Sequence, residues 1–315
     1  MKNKVVVVGS YNTDLTIKTG RIPLPGETVI GGIFTEGGGG KGGNQAVAAA
    51  RAGADVSFIA RVGNDILGEK GIERLNQEGM NTKYIFHDSS VPTGVAFIIV
   101  DDQGENSIVV ASGANANLSA ADIEIAGEEI SSADVLLVQL ESPIEAIQAA
   151  IIKAHEMGAI VILNPAPARF LEPSFLRAID IITPNKVEAE MLTKIKVTDI
   201  QSLNSIVKKF YDFGIKNVLI TLGSAGVFAG FADTMELIPA YKVSSKDSTG
   251  AGDVFSGSLA AFLSEGMSLE AAVKMANAAA SISVMRVGAQ NSAPNRKEIE
   301  NFVLEYTATE TAIFN

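Results

Sequence analysis

The chain contains no cysteine, which excludes disulfides, zinc ribbons and thiol catalysis. Histidine is nearly absent too, with His87 and His155 the only two. A Ser–His–Asp triad or a His-rich metal centre has almost nothing to build on, and both histidines read as structural or solvated. Basic residues are in deficit, 25 Lys and Arg against 36 Asp and Glu, for a formal net charge of −11. Surfaces that bind nucleic acid or anionic membranes draw their energy from basic patches, so neither partner is expected. Long apolar runs are missing as well. The start carries Lys2 and Lys4, but the run behind them, Val5 to Val8, stops at Gly9-Ser10. That is too short for an export signal, and no stretch approaches the ~18 apolar residues of a membrane span. A cytoplasmic protein is expected.

What is present is an ordinary globular mix, 315 residues with 47% hydrophobic, long enough to bury a large core without staples. Glycine is the local excess. There are 30 in the chain, against about 22 from average usage, and nine of them fall between Gly26 and Gly43.

Lys4 to Gly9 is a β-branched run closed by glycine, the pattern of a strand buried on both faces. Residues 44–53 read as a helix with a glycine stop, Val56–Val62 as a strand and Asp65–Glu78 as a helix. The alternation resumes with strand Val135–Gln139, a helix opened by Pro143 and strand Ala159–Leu163. Strand Asp180–Ile182, helices 186–193 and 199–213, and strand Asn217–Thr221 follow. This predicts an α/β protein whose mostly parallel sheet is covered by helices on both faces. Residues 14–35 and 93–111 break the pattern, the second with a hairpin signal at Asp101-Asp102-Gln103-Gly104. They are expected to form one small antiparallel sheet, a lid or a dimer surface, projecting from a single domain spanning 1–315. Helices at 253–265, 268–286 and 295–306 complete the chain, with a loosely held tail from Thr307 to Asn315.

The first glycine-rich segment, Gly37 to Gly43 followed by Asn44-Gln45, precedes an Ala-rich helix. It fails as a Walker A loop, because Gly42 stands where Ser or Thr would hold magnesium. Gly38, Gly40 and Gly43 fit a dinucleotide fingerprint, with Asp65 about twenty residues on, but Ile33-Phe34-Thr35-Glu36 is a poor buried strand to precede it. A flexible hinge with a solvated lysine is the plainest alternative. The better reading is a loop closing over a polyhydroxylated ligand, with Lys41 and Asn44 as hydrogen-bonding groups.

The second segment, Asp247-Ser248-Thr249-Gly250-Ala251-Gly252-Asp253, opens a helix. Small residues let the Gly250, Ala251 and Gly252 N–H groups converge, and the helix N-terminus adds positive potential. That is an anion hole suited to a transferring phosphoryl group, with Asp253 at its edge to take a proton from an attacking hydroxyl. Simple capping would need one small polar residue rather than this whole run. Asn12-Thr13-Asp14 and Glu141 follow strand carboxyl ends, where ligands bind in open α/β sheets, although turn formation would also use them. Asn185 and Glu188 suit a hydrated Mg²⁺ or a plain helix cap. Thr221 to Gly226 ends a strand in a tight turn suited to nucleotide phosphates.

Taken together, Gly39-Gly40-Lys41-Gly42-Gly43-Asn44-Gln45-Ala46 through Gly63-Asn64-Asp65, and Asp247 through Asp253, resemble the two signatures of the ribokinase-like (PfkB) carbohydrate kinases. Asn12-Thr13-Asp14 and Asn164-Pro165-Ala166-Pro167-Ala168 add to the likeness, which covers nearly the whole chain. Gly43 stands where Ala is frequent, loosening the sugar loop slightly, and Ser248 where Thr is frequent. The resemblance implies a three-layer α/β/α sandwich with a small β-sheet lid. It also implies ATP-dependent phosphorylation of D-ribose at its 5-hydroxyl, with Asp253 as base and the Gly250–Gly252 amides as anion hole. Asn12, Asp14, Gly40, Lys41, Asn44 and Glu141 would hold the sugar. Asn185, Thr221, Gly223, Gly226, Gly252 and Asn277 would contact ATP, with Glu188 near Mg²⁺. An activating K⁺ would take oxygens of Asp247, Thr249, Ser283, Arg286, Gly288 and Ser292, several of them main-chain carbonyls. A homodimer through the lid is implied too. The alternatives are a sibling kinase for 2-deoxyribose, fructose, a nucleoside or a sugar phosphate, and a non-catalytic sugar-binding protein. The intact hole and Asp253 argue against the last.

Overall fold

The computed structural model describes residues 3–232 and 234–313. Its first strands are β1 (Lys4–Val8), β2 (Asn12–Lys18) and β3 (Ile33–Gly39), leading to α1 (Lys41–Arg51), β4 (Asp55–Gly63), α2 (Ile66–Gln77) and β5 (Ile85–Asp88). Next come β6 (Gly94–Val100), β7 (Asn106–Ala111), α3 (Ala120–Ile125), α4 (Gly127–Ser131), β8 (Val135–Val138), α5 (Ile144–Glu156) and β9 (Ile160–Leu163). Then follow α6 (Pro173–Leu176), β10 (Ile181–Ile182), α7 (Lys186–Thr193), α8 (Ile200–Asp212) and β11 (Asn217–Thr221). The chain ends with β12 (Val227–Phe231), β13 (Thr234–Ile238), α9 (Ala251–Ser264), α10 (Leu269–Ser283) and α11 (Arg296–Ile313).

The valine run of β1 sits inside a nine-stranded sheet of order β13-β12-β11-β10-β9-β8-β1-β4-β5. It pairs in parallel with both β4 and β8. Successive side chains of a strand point to opposite faces, and the two core layers divide along that alternation. Val5 and Val7 pack with the alanine-rich faces of α1, α9 and α10. Val6 and Val8 pack with α5 and α8 on the other side. The result is the helix–sheet–helix sandwich. β12 and β13 run antiparallel at one edge, a hairpin the sequence pattern does not announce.

The two helix-free stretches supply a second sheet, β3-β2-β6-β7. One expectation fails here: β2 and β6 pair in parallel, Asn12↔Gly94 through Lys18↔Val100. They leave the main sheet in the same direction, so antiparallel pairing is confined to β2–β3 and β6–β7. The register places Asn12, Asp14, Gly37 and Gly39 on one face. Leu15, Ile17, Phe34, Phe97 and Val109 lie on the other, where the last four are exposed.

The glycine-rich segment is not a loop. Gly37–Gly39 finish β3, and Lys41, Gly42 and Gly43 form the first turn of α1, three residues before the expected helix start. Gly40, at φ 78°, makes the sharp change between strand and helix. A Cβ at Gly42 would lie 2.6 Å from the Ser10 nitrogen, so glycine here allows helix and strand to touch. The tail expected after Tyr306 is helical as far as Ile313, and Phe314 and Asn315 lie outside the described residues.

α1 and α9 cross at Gly257, where a Cβ would collide with the Gln45 carbonyl and lie 2.8 Å from the Ala48 Cβ. Overpacking such a contact typically costs about 1–3 kcal/mol. Gly257→Val is expected to lower the denaturant midpoint with an unchanged slope. A midpoint equal to wild type would show that the crossing does not need this close approach.

Candidate active site

The N-termini of α1 and α9 meet at the carboxyl end of β1, and the first turn of α9 carries Asp253. Gly250 caps that helix in the left-handed conformation, φ 74° and ψ 2°. An α-helix cannot pair its own first N–H groups, but one of the three expected anion-hole amides is taken. The Ala251 N–H donates to the Ser248 carbonyl at 3.2 Å, because closing the turn before the helix uses it. Gly250 and Gly252 remain as the candidate donors.

The Asp253 carboxylate is buried and receives one amide on each oxygen. Asn44 Nδ2 donates to Oδ2 at 3.0 Å and Gln45 Nε2 to Oδ1 at 2.9 Å. Asn44 Oδ1 is buried with no partner among the described residues, an acceptor a ligand hydroxyl can fill. Glu141 accepts at one oxygen from Ser10 Oγ at 2.6 Å and from the Lys41 N–H at 2.9 Å, joining the β8 side of the site to the start of α1. Asn12 is buried, its Oδ1 accepting from Asn115 Nδ2 at 2.8 Å. Gly39 faces Asp14 so closely that a Cβ would overlap the carboxylate.

Charge ties these groups together. The negative charge of Asp253 raises the Lys41 ammonium above its ordinary value, against the pull of burial and with help from Glu141 and Glu188. Asp14 is pushed up to about 6, first by burial and then by the charges of Glu141 and Asp253. Burial also raises Glu188, partly opposed by the Asn185 N–H and Lys41. Lys41 therefore feels three carboxylates, Asp253, Glu141 and Glu188, two of which also act on Asp14.

Beyond α9 lies a cavity of about 390 Å³. Thr221, Gly223, Gly226, Gly252 and Asn277 all line it, with Ala251 at its floor. Asn277 is oriented by donating to the Pro239 carbonyl at 2.8 Å. Tyr241, also in the lining, packs edge-on to Phe302 and Tyr306 of α11. Asn185 is not in the lining. It caps α7, accepting from the Glu188 N–H at 2.9 Å, while Glu188 accepts from the Asn185 N–H at 2.8 Å and from Asn185 Nδ2 at 2.9 Å. Helix capping has claimed both side chains, so the plain-cap alternative describes their present contacts.

The candidate cation residues border the anion-hole turn. Asp247 accepts from the Thr249 N–H at 2.9 Å and the Gly288 N–H at 2.8 Å, stitching two loops together. Burial opposes its ionisation, but these hydrogen bonds outweigh it and lower the carboxyl. Ser283 and Ser292 spend their hydroxyls on the nearby carbonyls of Ala280 and Ala289. The Arg286 side chain turns away to Glu298, leaving main-chain carbonyls as what these positions can offer. Among the described residues no three His, Asp or Glu side chains converge on one point. One carboxylate with neutral oxygens fits a monovalent ion better than a divalent one.

Sequence reading assigns no role to Gln45 and Asn164, although both lie in segments that carry the family resemblance, and it misses Gln139, Asn115 and Tyr241. Their neighbours in space come from distant strands and helices, so spacing alone carries no signal for their contacts.

Known proteins resemble this chain along nearly its whole length. The pfkB family carbohydrate kinase profile matches residues 2–296. Ribokinase of Haemophilus influenzae is 43% identical over 303 residues, covering 96% of this chain and 99% of its own. Ribokinase of Staphylococcus aureus is 42% identical, covering 95% and 99%. The structure of Arabidopsis thaliana ribokinase complexed with ribose and ATP superimposes with a TM-score of 0.88 at 31% identity, covering 96% of this chain and 99% of that one. With one family profile matched almost end to end and relatives this close over nearly their full length, the chain belongs to the pfkB family of carbohydrate kinases.

Proposed function

We propose that the protein is an ATP-dependent kinase of D-ribose, transferring the γ-phosphoryl to O5 to give D-ribose 5-phosphate. The observation that carries this is the position of Asp253. Its carboxylate accepts from Asn44 at the small-sheet end of the site, and Gly252, one residue before it at the start of the same helix, lines the cavity beyond α9. Asn12, Asp14, Gly40, Lys41, Asn44 and Glu141 hold the sugar. Thr221, Gly223, Gly226, Gly252 and Asn277 bound the nucleotide. Asn185 contributes through its α7 cap rather than from the cavity wall.

In the reaction Asp253 takes the proton of the attacking hydroxyl, that oxygen forms the new bond to phosphorus, and the broken P–O bond leaves its electron pair on ADP. Phosphoryl transfer asks a protein chiefly for positioning and charge stabilisation. Lys41 and the Gly250 and Gly252 amides oppose the charge spread over the moving group. The lid, β3-β2-β6-β7, covers the sugar and excludes water. Glu188 and Asn185 can reach a hydrated Mg²⁺ through water, and such an ion would neutralise phosphate charge. The Asp247 loop and the carbonyls of Thr249, Ser283, Arg286 and Gly288 would hold K⁺, with Ser292 beside them, and keep the anion hole stiff. The exposed row Ile17, Phe34, Phe97 and Val109 suits a second copy, giving a homodimer through the lid of a single 1–315 domain. A cytoplasmic location fits these soluble substrates.

Release of ADP with ribose, 2-deoxyribose, fructose, adenosine and fructose 6-phosphate, in K⁺ and in Na⁺, tests the reading. Fastest turnover is expected with ribose and K⁺, and Asp247→Ala should abolish the preference for K⁺. Faster turnover with another acceptor would move the substrate, and indifference to the cation would remove its site.

Removal of a positioned base typically lowers the rate about 10²–10⁴-fold. Asp253→Asn is expected to fall in that range while calorimetry still detects ribose binding. A loss in kcat of under about tenfold would refute the assignment.

Asp14 yields a pH prediction. Its folded value of about 6 lies above the ordinary 3.8, so between the two the folded protein keeps a proton that the unfolded chain has lost. Stability therefore falls as pH rises through that window and stays reduced above it. Asp14→Asn should melt higher than wild type at pH 8, with the gap closing toward pH 4. It should weaken ribose about tenfold or more, since hydrogen bonds to a charged acceptor are the strong ones. Wild-type affinity should drop as pH falls through about 6, and a flat profile would mean that ionised Asp14 does not hold the sugar.

A further inference from the structure

Behind the Asp253 carboxylate, buried amides and hydroxyls form a chain through the sheet layer. Gln139, just past β8, donates from Nε2 to Gln45 Oε1 at 2.7 Å. Gln45 donates twice from its own Nε2, to Asp253 Oδ1 at 2.9 Å and to Asn164 Oδ1 at 3.0 Å. Asn164 donates onward to the Thr183 carbonyl at 2.9 Å. The Thr183 hydroxyl meets Ser256 Oγ, on the same helix as Asp253, at 3.0 Å. Gln45 has no exposed surface and Gln139 is 1% exposed.

Burying an amide is unfavourable unless it is paired; within this chain only Gln139 Oε1 is buried without a partner among the described residues, and none of these side chains is among the groups assigned to sugar or nucleotide. The direction of the chain is the informative feature. Were the Gln45 amide turned over, its oxygen would face the carboxylate of Asp253, acceptor against acceptor. Gln139 opposes this by offering a donor to Oε1. Asn164 opposes it by offering an acceptor to Nε2, because its own Nδ2 is committed to Thr183. Gly9 makes room for the arrangement, since a Cβ there would collide with Gln139 Oε1.

We propose that Gln45 is a positioning residue, its amide oriented by Gln139 and Asn164 so that, with the Asn44 amide on Oδ2, it fixes the Asp253 carboxylate in the direction from which it takes the sugar proton. The proposal rests on the reading of Asp253 as base. The charged groups facing Asp253 are Lys41 of α1, Asp14 of β2 and Glu188 of α7, with Glu141 next to Lys41. A substitution at Gln139 leaves all of them in place.

The experiment uses Gln139→Glu, which keeps the shape and replaces the donor facing Gln45 with an acceptor. The Gln45 amide then keeps only Asn164 and Asp253 to hold its direction, and its hydrogen bond to Asp253 is weakened. The expected result is a kcat lower by about tenfold or more and an acid limb of the kcat–pH profile displaced to higher pH. Ribose affinity, including the pH dependence that follows Asp14, should match wild type. Gln139→Met removes the donor without adding charge and should act in the same direction more weakly, which covers the case in which Gln139→Glu does not fold. Because Gln139→Glu also brings a new carboxylate toward Asp253, the uncharged Gln139→Met decides: an unmoved acid limb in folded Gln139→Met overturns the proposal even if kcat drops, because a merely structural role would leave that limb alone. Wild-type kcat in Asp253→Asn would instead remove the base on which the proposal rests.

Discussion

A buried carboxylate is tolerable only when its lost hydration is replaced, and Asp253 is the group around which this molecule makes that replacement. The two donors come from neighbouring residues of one helix, Asn44 and Gln45 of α1, which approach the first turn of α9. They reach it because α1 and α9 cross where Gly257 has no side chain. They are aimed because Gly40 and Gly42 let α1 start directly against β1. The glycines in both segments therefore serve proximity between rigid elements more than flexibility.

The same crossing brings the proposed sugar and nucleotide sides together. The small sheet delivers Asn12 and Asp14 to one side of Asp253, and the cavity beyond α9 lies on the other. Asp14 is held in an unfavourable setting, pushed up to about 6 by burial and by like charges. A carboxylate destabilised in the free protein can gain from a ligand that supplies hydroxyl donors. Local strain of this kind is common where binding must be strong. Lys41 moderates the surplus of negative charge without cancelling it.

How much could be read in advance differs by element. The valine run of β1 and the Gly-Ala-Gly-Asp start of α9 rest on local rules of periodicity and capping, and the structure agrees with them; Pro143 marks its helix start too, but one residue early, as the N-cap before Ile144. Propensity starts α1 three residues late because glycine is a poor helix former in isolation, whereas here the packing of Gly42 and Gly43 against the end of β1 overrides it. The parallel pairing of β2 with β6 leaves no local signal because it joins segments about eighty residues apart in the chain.

Residue types and their order were enough to set the layered α/β architecture and to mark the two signature segments, because these follow from short-range pattern. What needed the folded chain was directional. It settled that the Ala251 amide is spent on Ser248 while Gly252 opens to the cavity, and that Asn185 and Glu188 cap a helix. It also set the way the Gln45 amide faces. Hydrogen-bond direction depends on which partner arrives from elsewhere in the chain, and a linear sequence holds no distance between residues 45, 139, 164 and 253.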